Sequence, residues 1–146
     1  AKQLADIVLV LSSNGGDVAS GMGLYHFIRA LPVPVRVHAA GVCSSIAATI
    51  LLASDIRTGA DPTHFVLHAA TYREGPQQGQ RASNTVAVTA PYRDRLGWDA
   101  ARIEACFTDN ETTLTVQQAC DWGMVQVVTE LRLAPGDTTA IVSIPK

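Results

Sequence analysis

Two segments that carry serine and glycine, together with one histidine, hold the residue types that acyl transfer requires. Residues 13–17 read Ser-Asn-Gly-Gly-Asp, residues 41–45 read Gly-Val-Cys-Ser-Ser, and His68 follows the apolar run 65–67. Each segment lies between a strand-like run and a helical pattern, where exposed backbone N–H groups can hold a developing oxyanion. A serine hydroxyl at the start of a helix can serve as the nucleophile, and a histidine as its base. Together these features predict a nucleophile, a base and an oxyanion hole.

A β-α-β unit is predicted to position the first segment. Residues 7–11 read Ile-Val-Leu-Val-Leu and predict a strand, and Asp17 can cap the helix that follows to about Ala30. Prolines then end the helix and precede a second strand at 35–39. Because such a crossover joins parallel strands with a right-handed sense, we expect the two strands to pair in parallel.

The remaining pattern predicts a central helix with short elements around it. Residues 45–54 are apolar on nearly every side, which is typical of a helix enclosed in the core. Residues 71–84 form a polar loop rich in Gly and Gln, and residues 85–92 alternate as in a strand. The other predictions are strands at 56–58, 65–67, 124–128 and 140–144, a helix from Asp99 to about Phe107, and a helix with a Thr115/Gln118 capping box that ends at Gly123.

The order of these motifs resembles the proteolytic subunits of the Clp protease family. Asn-Gly-Gly at 14–16, Gly-Met-Gly-Leu-Tyr at 21–25, residues 41–45, Leu-His at 67–68 and the run 114–125 follow one another as in that family. From Gly15 to Ser45 the match needs no gap, and it covers most of residues 6–127. The resemblance implies a single domain over residues 1–146 with an α/β fold of the Clp/crotonase type. That fold is a spiral of β-β-α units with a mostly parallel core sheet, and it has a long helix where residues 85–92 alternate.

Several positions depart from the family pattern. Asn14 replaces a proline, Cys43 and Ser44 replace an alanine pair, and 69–70 is Ala-Ala where the family has Gln-Pro. The chain also begins at the first apolar strand, where family members carry a helix, a strand and an axial loop. This start suggests a truncated or shortened relative. Docking to an unfolding ATPase depends on that region in the family, so the resemblance leaves an ATPase partner undetermined.

The resemblance also assigns roles to individual residues. It implies that Ser45 attacks the peptide carbonyl and that His68 takes the serine proton. The oxyanion would be held by the backbone N–H groups of Gly16 and Ile46. The alignment of residues 41–45 with the family motif favours Ser45 over Cys43 as the nucleophile.

The third member of a catalytic triad is not settled by the resemblance. The family aspartate corresponds to Phe107, and the nearest acid is Asp109. The run 109–114 is more similar to the Asp-x-Glu-Thr-Trp-Leu of phage prohead proteases with the Clp fold. We therefore expect Asp109 to orient His68, with Glu111 or no acid at all as the alternatives.

Composition excludes several classes of function. Of the 146 residues, 47% are hydrophobic and 16% are charged, and the net charge is −2. No basic stripe is available to neutralise nucleic-acid phosphates, and no apolar run approaches the ~18 residues of a membrane span. Metal-ligand spacing is absent, so neither a metal nor another cofactor is expected. The three cysteines and the lack of a leader pattern predict reduced thiols in a cytoplasmic protein.

The leading interpretation is a serine endopeptidase that hydrolyses peptides or unfolded proteins through an acyl-enzyme. Low charge suggests that other subunits cover part of the surface, and the family resemblance implies a homo-oligomeric ring with residues 85–105 in the contacts between rings. One alternative is a catalytically inactive Clp-like assembly subunit. Another is a crotonase-like enzyme acting on a CoA thioester, although the pairing of Ser45 with His68 favours hydrolysis.

Overall fold

The computed structural model describes residues 4–143, in which helices and strands alternate as the sequence predicts. The strands are β1 (Ile7–Ser13), β2 (Val35–Ser44), β3 (Ile56–Gly59), β4 (His64–Leu67), β5 (Thr112–Thr115) and β6 (Val127–Val128). The helices are α1 (Val18–Ala30), α2 (Ile46–Leu51), α3 (Thr85–Leu96), α4 (Ala100–Cys106) and α5 (Val116–Asp121). Within these residues no helix has the length and apolar character needed to cross a bilayer.

Strand β2 is the centre of the sheet and pairs with three other strands. It runs parallel to β1 along one edge, and on the other edge to β3 over residues 36–39 and to β4 over residues 42–44. Gly41 lies at the change of partner with φ +86°, and its N–H donates to Thr63 Oγ1 over 3.0 Å. Strand β6 adds in parallel to β3, and β5 adds antiparallel to β4. The mostly parallel sheet agrees with the predicted α/β class.

Helix α2 forms the middle of the core, as its apolar sequence predicts. All six of its residues are buried, and it packs against β2, α1 and α3. Helix α1 approaches it closely because residue 21 is glycine. A Cβ at Gly21 would collide with Ile46 Cγ1, the side chain that opens α2. This close contact fixes the first residue of α2 against α1.

Several boundaries differ from the sequence predictions. Residues 85–92 belong to a helix, as the family resemblance implies, since Thr85, Val88 and Tyr92 are buried at helical spacing. The strand β5 was not predicted, and the strand expected at 124–128 is reduced to Val127–Val128. Of the strand expected at 140–144, residues 140–143 have no strand structure, and Ile144 lies outside the described residues.

The predicted helix caps are confirmed. Asp17 and Asp99 accept hydrogen bonds from the backbone N–H groups of Ser20 and Arg102, each over 2.8 Å. The capping box of Thr115 with Gln118 is also present. These caps depend only on residues three positions apart, which is why the sequence alone could locate them.

Candidate active site

Ser45 occupies a strained turn between β2 and α2. Its φ of 58° is the one positive value at a non-glycine residue within 4–143. Its N–H donates to the carbonyl of Val66 over 2.7 Å, which ties the turn to β4. A serine on a sharp strand-to-helix turn has an exposed hydroxyl, as in the nucleophile turn of α/β-hydrolases. Strain of this kind persists where the surrounding structure holds it in place, and it is concentrated at functional sites.

Gly15 holds the glycine loop directly against that turn. A Cβ on Gly15 would lie 2.8 Å from both the Ser44 carbonyl oxygen and Ser45 Cβ, and its φ is +91°. Both the space and the conformation therefore require glycine. The sequence pattern predicted the loop but did not mark Gly15 as a residue of the site. The glycine doublet was the only available signal, because this contact joins residues 30 positions apart.

The two predicted oxyanion donors differ in their surroundings. Gly16 borders the cavity beside Ser45, and a Cβ there would meet nothing within 4 Å. Ile46 follows Ser45 directly at the first residue of α2, and its side chain is buried. Among residues 4–143 neither backbone N–H donates a hydrogen bond. Two unused donors next to a serine are what an oxyanion hole needs before substrate binds.

His68 is brought to Ser45 by the pairing of β2 with β4. Ser44 is the register partner of Val66, so the residues that follow each strand emerge at the same end of the sheet. Ser45, His68 and Gly16 border one cavity of about 230 Å³. His68 Nδ1 lies 2.7 Å from the carbonyl oxygen of Ala69. Because a carbonyl only accepts, this contact puts the proton on Nδ1 and leaves Nε2 as an acceptor for the serine proton.

The predicted acid, Asp109, follows a residue that is hydrogen-bonded to the neighbour of His68, but its carboxylate forms no hydrogen bond with His68. The Ala69 N–H donates to the Thr108 carbonyl over 2.8 Å, which places Asp109 one residue from the segment that carries His68. Asp109 and Glu111 are both exposed, and within residues 4–143 no carboxylate is hydrogen-bonded to His68. Phe107 is buried against Tyr92, with ring centroids 4.9 Å apart, so the position of the family aspartate is part of the core.

The cavity has walls that the sequence did not reveal. Val18 of α1 lines it, as do Tyr72 and Arg73 from the polar loop 71–84. That loop doubles back on itself, since Tyr72 N–H donates to the Gln80 carbonyl and Gly79 N–H to the Tyr72 carbonyl. The loop has no periodicity, so nothing in its sequence indicated that it would fold over the serine.

Cys43 is excluded as the nucleophile by its surroundings. Its side chain is fully buried, and its Sγ lies 3.6 Å from the Leu11 carbonyl oxygen. Burial raises the pKa of this thiol to about 12, so the thiolate that a cysteine nucleophile requires is not formed at neutral pH. Within the described part of the chain, no group of His, Cys, Asp and Glu side chains is arranged to hold a metal ion.

A larger cavity lies at the other end of the sheet and offers no comparable chemistry. It measures about 360 Å³ and lies between the end of α1 and the start of β3. Its carboxylate, Asp55, forms ion pairs with Arg29 and Arg95, and the pairing with Arg95 lowers the pKa of Asp55. The lining contains no histidine, so the cavity beside Ser45 is the better candidate for catalysis.

Comparisons with known proteins identify the same family as the sequence motifs. A sequence profile of the family described as Clp protease matches residues 1–132. The chain is 27% identical over 136 residues to the ATP-dependent Clp protease proteolytic subunit of Pleurastrum terricola, covering 84% of this chain and 67% of that protein. It is 23% identical over 141 residues to the ATP-dependent Clp protease proteolytic subunit 2 of Treponema denticola, covering 86% of this chain and 67% of that protein.

A solved structure supports the same fold. A ClpP1 mutant from Listeria monocytogenes superposes with a TM-score of 0.74 at 22% identity, over 87% of this chain and 75% of that chain. A likeness at this level of identity concerns the fold alone. It confirms the predicted α/β fold of the Clp type.

Proposed function

Because the chain belongs to the Clp protease family, as its motifs predict, we propose that it is a serine endopeptidase acting through an acyl-enzyme. The observation that carries this proposal is the strained Ser45 at the wall of a cavity that it shares with His68 and Gly16. No cofactor is needed, because the serine, the histidine and two backbone donors supply the chemistry.

In the proposed reaction, Ser45 Oγ attacks the peptide carbonyl while His68 Nε2 takes its proton. The N–H groups of Gly16 and Ile46 stabilise the oxyanion, and one such donor contributes about 2.7–4 kcal/mol in known proteases. The intermediate collapses, His68 gives its proton to the leaving amine, and the acyl group stays on Ser45. Water then attacks the acyl-enzyme with His68 as base, which releases the acid and restores the serine.

Asp109 is the acid that we propose to orient His68. Its backbone is held near by the Ala69 to Thr108 hydrogen bond. For a carboxylate to accept from Nδ1, it must replace the Ala69 carbonyl that now lies 2.7 Å away. The proposal therefore includes a rearrangement of the 107–111 segment when substrate or a neighbouring subunit arrives.

We further propose that the protein acts in the cytoplasm as a homo-oligomeric ring on peptides or unfolded proteins. Val8, Val10, Ile56 and Val127 are 36–51% exposed, and strand register puts them on one face of the sheet. On α1, Phe27 is 62% exposed. Apolar surface of this extent on a sparsely charged chain favours cover by other subunits. The curated relatives are named ATP-dependent. On that ground we propose that this chain also works with an ATPase partner.

Labelling with a fluorophosphonate probe tests the enzymatic proposal. We expect one modified residue, mapped by mass spectrometry to Ser45, and loss of labelling in Ser45→Ala and in His68→Ala. Ser44→Ala is the matched control, because it removes the adjacent hydroxyl and should keep the label. Labelling that survives in Ser45→Ala would refute the assignment.

An inactive assembly subunit is the second candidate. The observation that favours it is that, among residues 4–143, no carboxylate forms a hydrogen bond with His68. It predicts correct assembly with neither labelling nor turnover of a fluorogenic peptide. Turnover by the parent protein that is lost in Ser45→Ala excludes it.

A further inference from the structure

The cavity beside Ser45 contains one charged side chain without a partner. Asp17, His68, Tyr72 and Arg73 are the ionisable residues among those that line it. Arg73 has no carboxylate within 4 Å anywhere in residues 4–143. A guanidinium is permanently charged and presents several donors, so an unpaired one at a cavity wall can bind a carboxylate.

Asp17 forms no ion pair with Arg73. Its Oδ2 accepts hydrogen bonds from the N–H and the hydroxyl of Ser20, both over 2.8 Å. These bonds lower the pKa of Asp17, with Arg73 as the weakest cause. The carboxylate is thus held at the N-terminus of α1, which it caps. The guanidinium of Arg73 therefore stays available to a ligand in the cavity.

We propose that Arg73 makes the cavity selective for an acidic side chain on the substrate. The inference deepens the proposed peptidase function and rests on it for the position of the scissile bond. Arg73 is itself exposed, and the lining beside it includes the buried Ala70 and Ala82 and the half-buried Tyr72. A substrate carboxylate that enters the cavity is partly removed from water, which strengthens its interaction with the guanidinium. Glutamate or aspartate would thus be favoured next to the bond that Ser45 attacks.

Two peptides that differ by one Glu or Gln beside the scissile bond test the proposal. The parent protein should cleave the Glu peptide with a kcat/KM about fivefold higher, the ratio expected for one partly exposed ion pair. Arg73→Gln should bring the ratio to about one, and Arg73→Glu should invert it. Arg81→Gln is the matched control. Arg81 lies in the same loop, where its backbone forms an antiparallel β-bridge with Thr71, but it does not line the cavity. The Arg81→Gln variant should therefore keep the parental ratio.

Ionic strength provides an independent check on the cause. The Debye length falls from about 10 Å at 0.1 M salt to about 3 Å at 1 M, so the parental preference for Glu should shrink as salt is added. A parental ratio of one, or a preference that is the same in Arg73→Gln, would overturn the proposal.

Binding to the Ser45→Ala variant separates this inference from the proposed function. Fluorescence anisotropy should give tighter binding of the Glu peptide than of the Gln peptide, and Arg73→Gln in the same background should abolish the difference. If that pattern is found while the parent protein cleaves neither peptide, the peptidase proposal fails and the acidic preference stands. If the parent protein cleaves both equally and the two peptides bind alike, the peptidase proposal stands and the role of Arg73 falls.

Discussion

The contact between α1 and α2 allows a quantitative test of how the fold holds the nucleophile turn. Gly21 and Gly23 stand in the same helix, and replacing either by alanine should gain about 1 kcal/mol of helix propensity. A Cβ at Gly23 meets nothing within 4 Å, whereas one at Gly21 collides with Ile46 Cγ1. Because the propensity gain is common to both variants, the difference in their free energies of unfolding isolates the collision.

Overpacking a close-packed core typically costs about 1–3 kcal/mol. Ile46 is buried and β-branched, and it opens α2, so it has little freedom to move away. We therefore expect Gly23→Ala to be more stable than the parent protein and Gly21→Ala to be less stable than Gly23→Ala by about 1–3 kcal/mol. With an m-value of about 2 kcal/mol per molar urea, the midpoints should differ by about 0.5–1.5 M.

The assay is urea unfolding of both variants at one protein concentration, followed by circular dichroism. Fluorogenic peptide turnover should also fall in Gly21→Ala, because a displaced Ile46 carries the adjacent oxyanion donor with it. Equal midpoints for Gly21→Ala and Gly23→Ala would refute the packing that we describe.

Three further predictions concern the acid, the assembly and pH. Asp109→Asn should lower kcat by up to about 10⁴-fold, as the wrong imidazole tautomer does in serine proteases, and Glu111→Gln should matter less; if both keep the parental kcat while Ser45→Ala is inactive, the site is a Ser-His dyad. Light scattering should give a mass well above the 15.5 kDa of one chain, and Phe27→Glu should lower it; a parental monomer would contradict the ring. Burial lowers the pKa of His38, so its contribution to stability is complete above the unfolded value of 6.5 and is lost as pH falls from there through the lowered pKa of the folded state. The free energy of unfolding should therefore depend less on pH between about 7 and 5 in His38→Gln than in the parent protein.

Features that depend on neighbours in sequence were predicted well. The caps at Asp17, Asp99 and Thr115 require only a side chain and an N–H group three residues on, so the residue types are a sufficient signal. The first β-α-β unit also followed from its pattern, because periodicity and prolines mark its boundaries. Ser45 and His68 were placed correctly at the ends of their elements for the same reason.

Features that depend on distant parts of the chain were not visible. Strand β5 exists because Leu114 and its neighbours pair antiparallel with β4, some 50 residues earlier. Residues 85–92 alternate like a strand, but they form part of α3, which packs against α2. This packing favours a helix, because it buries side chains at helical spacing. Tyr72 and Arg73 reached the cavity wall through a loop whose path is set by hydrogen bonds within it. No local pattern records such contacts.

The contact at His68 Nδ1 bears on how the proposed base is oriented. A catalytic imidazole needs an acceptor on Nδ1 to fix its tautomer, and in this fold the Ala69 carbonyl already supplies one at 2.7 Å. A neutral carbonyl stabilises the imidazolium of the transition state less than a carboxylate does, because it lacks the opposite charge. Phe107, at the position where the resemblance expects the family aspartate, packs in the core beside Tyr92. In the proposed mechanism the orientation of His68 is thus retained, and the rate would depend on whether Asp109 can reach the same nitrogen. The Asp109→Asn measurement distinguishes these two cases, since removing the charge of a carboxylate that contacts His68 should lower kcat by orders of magnitude, whereas removing that of an exposed, distant one should change kcat little.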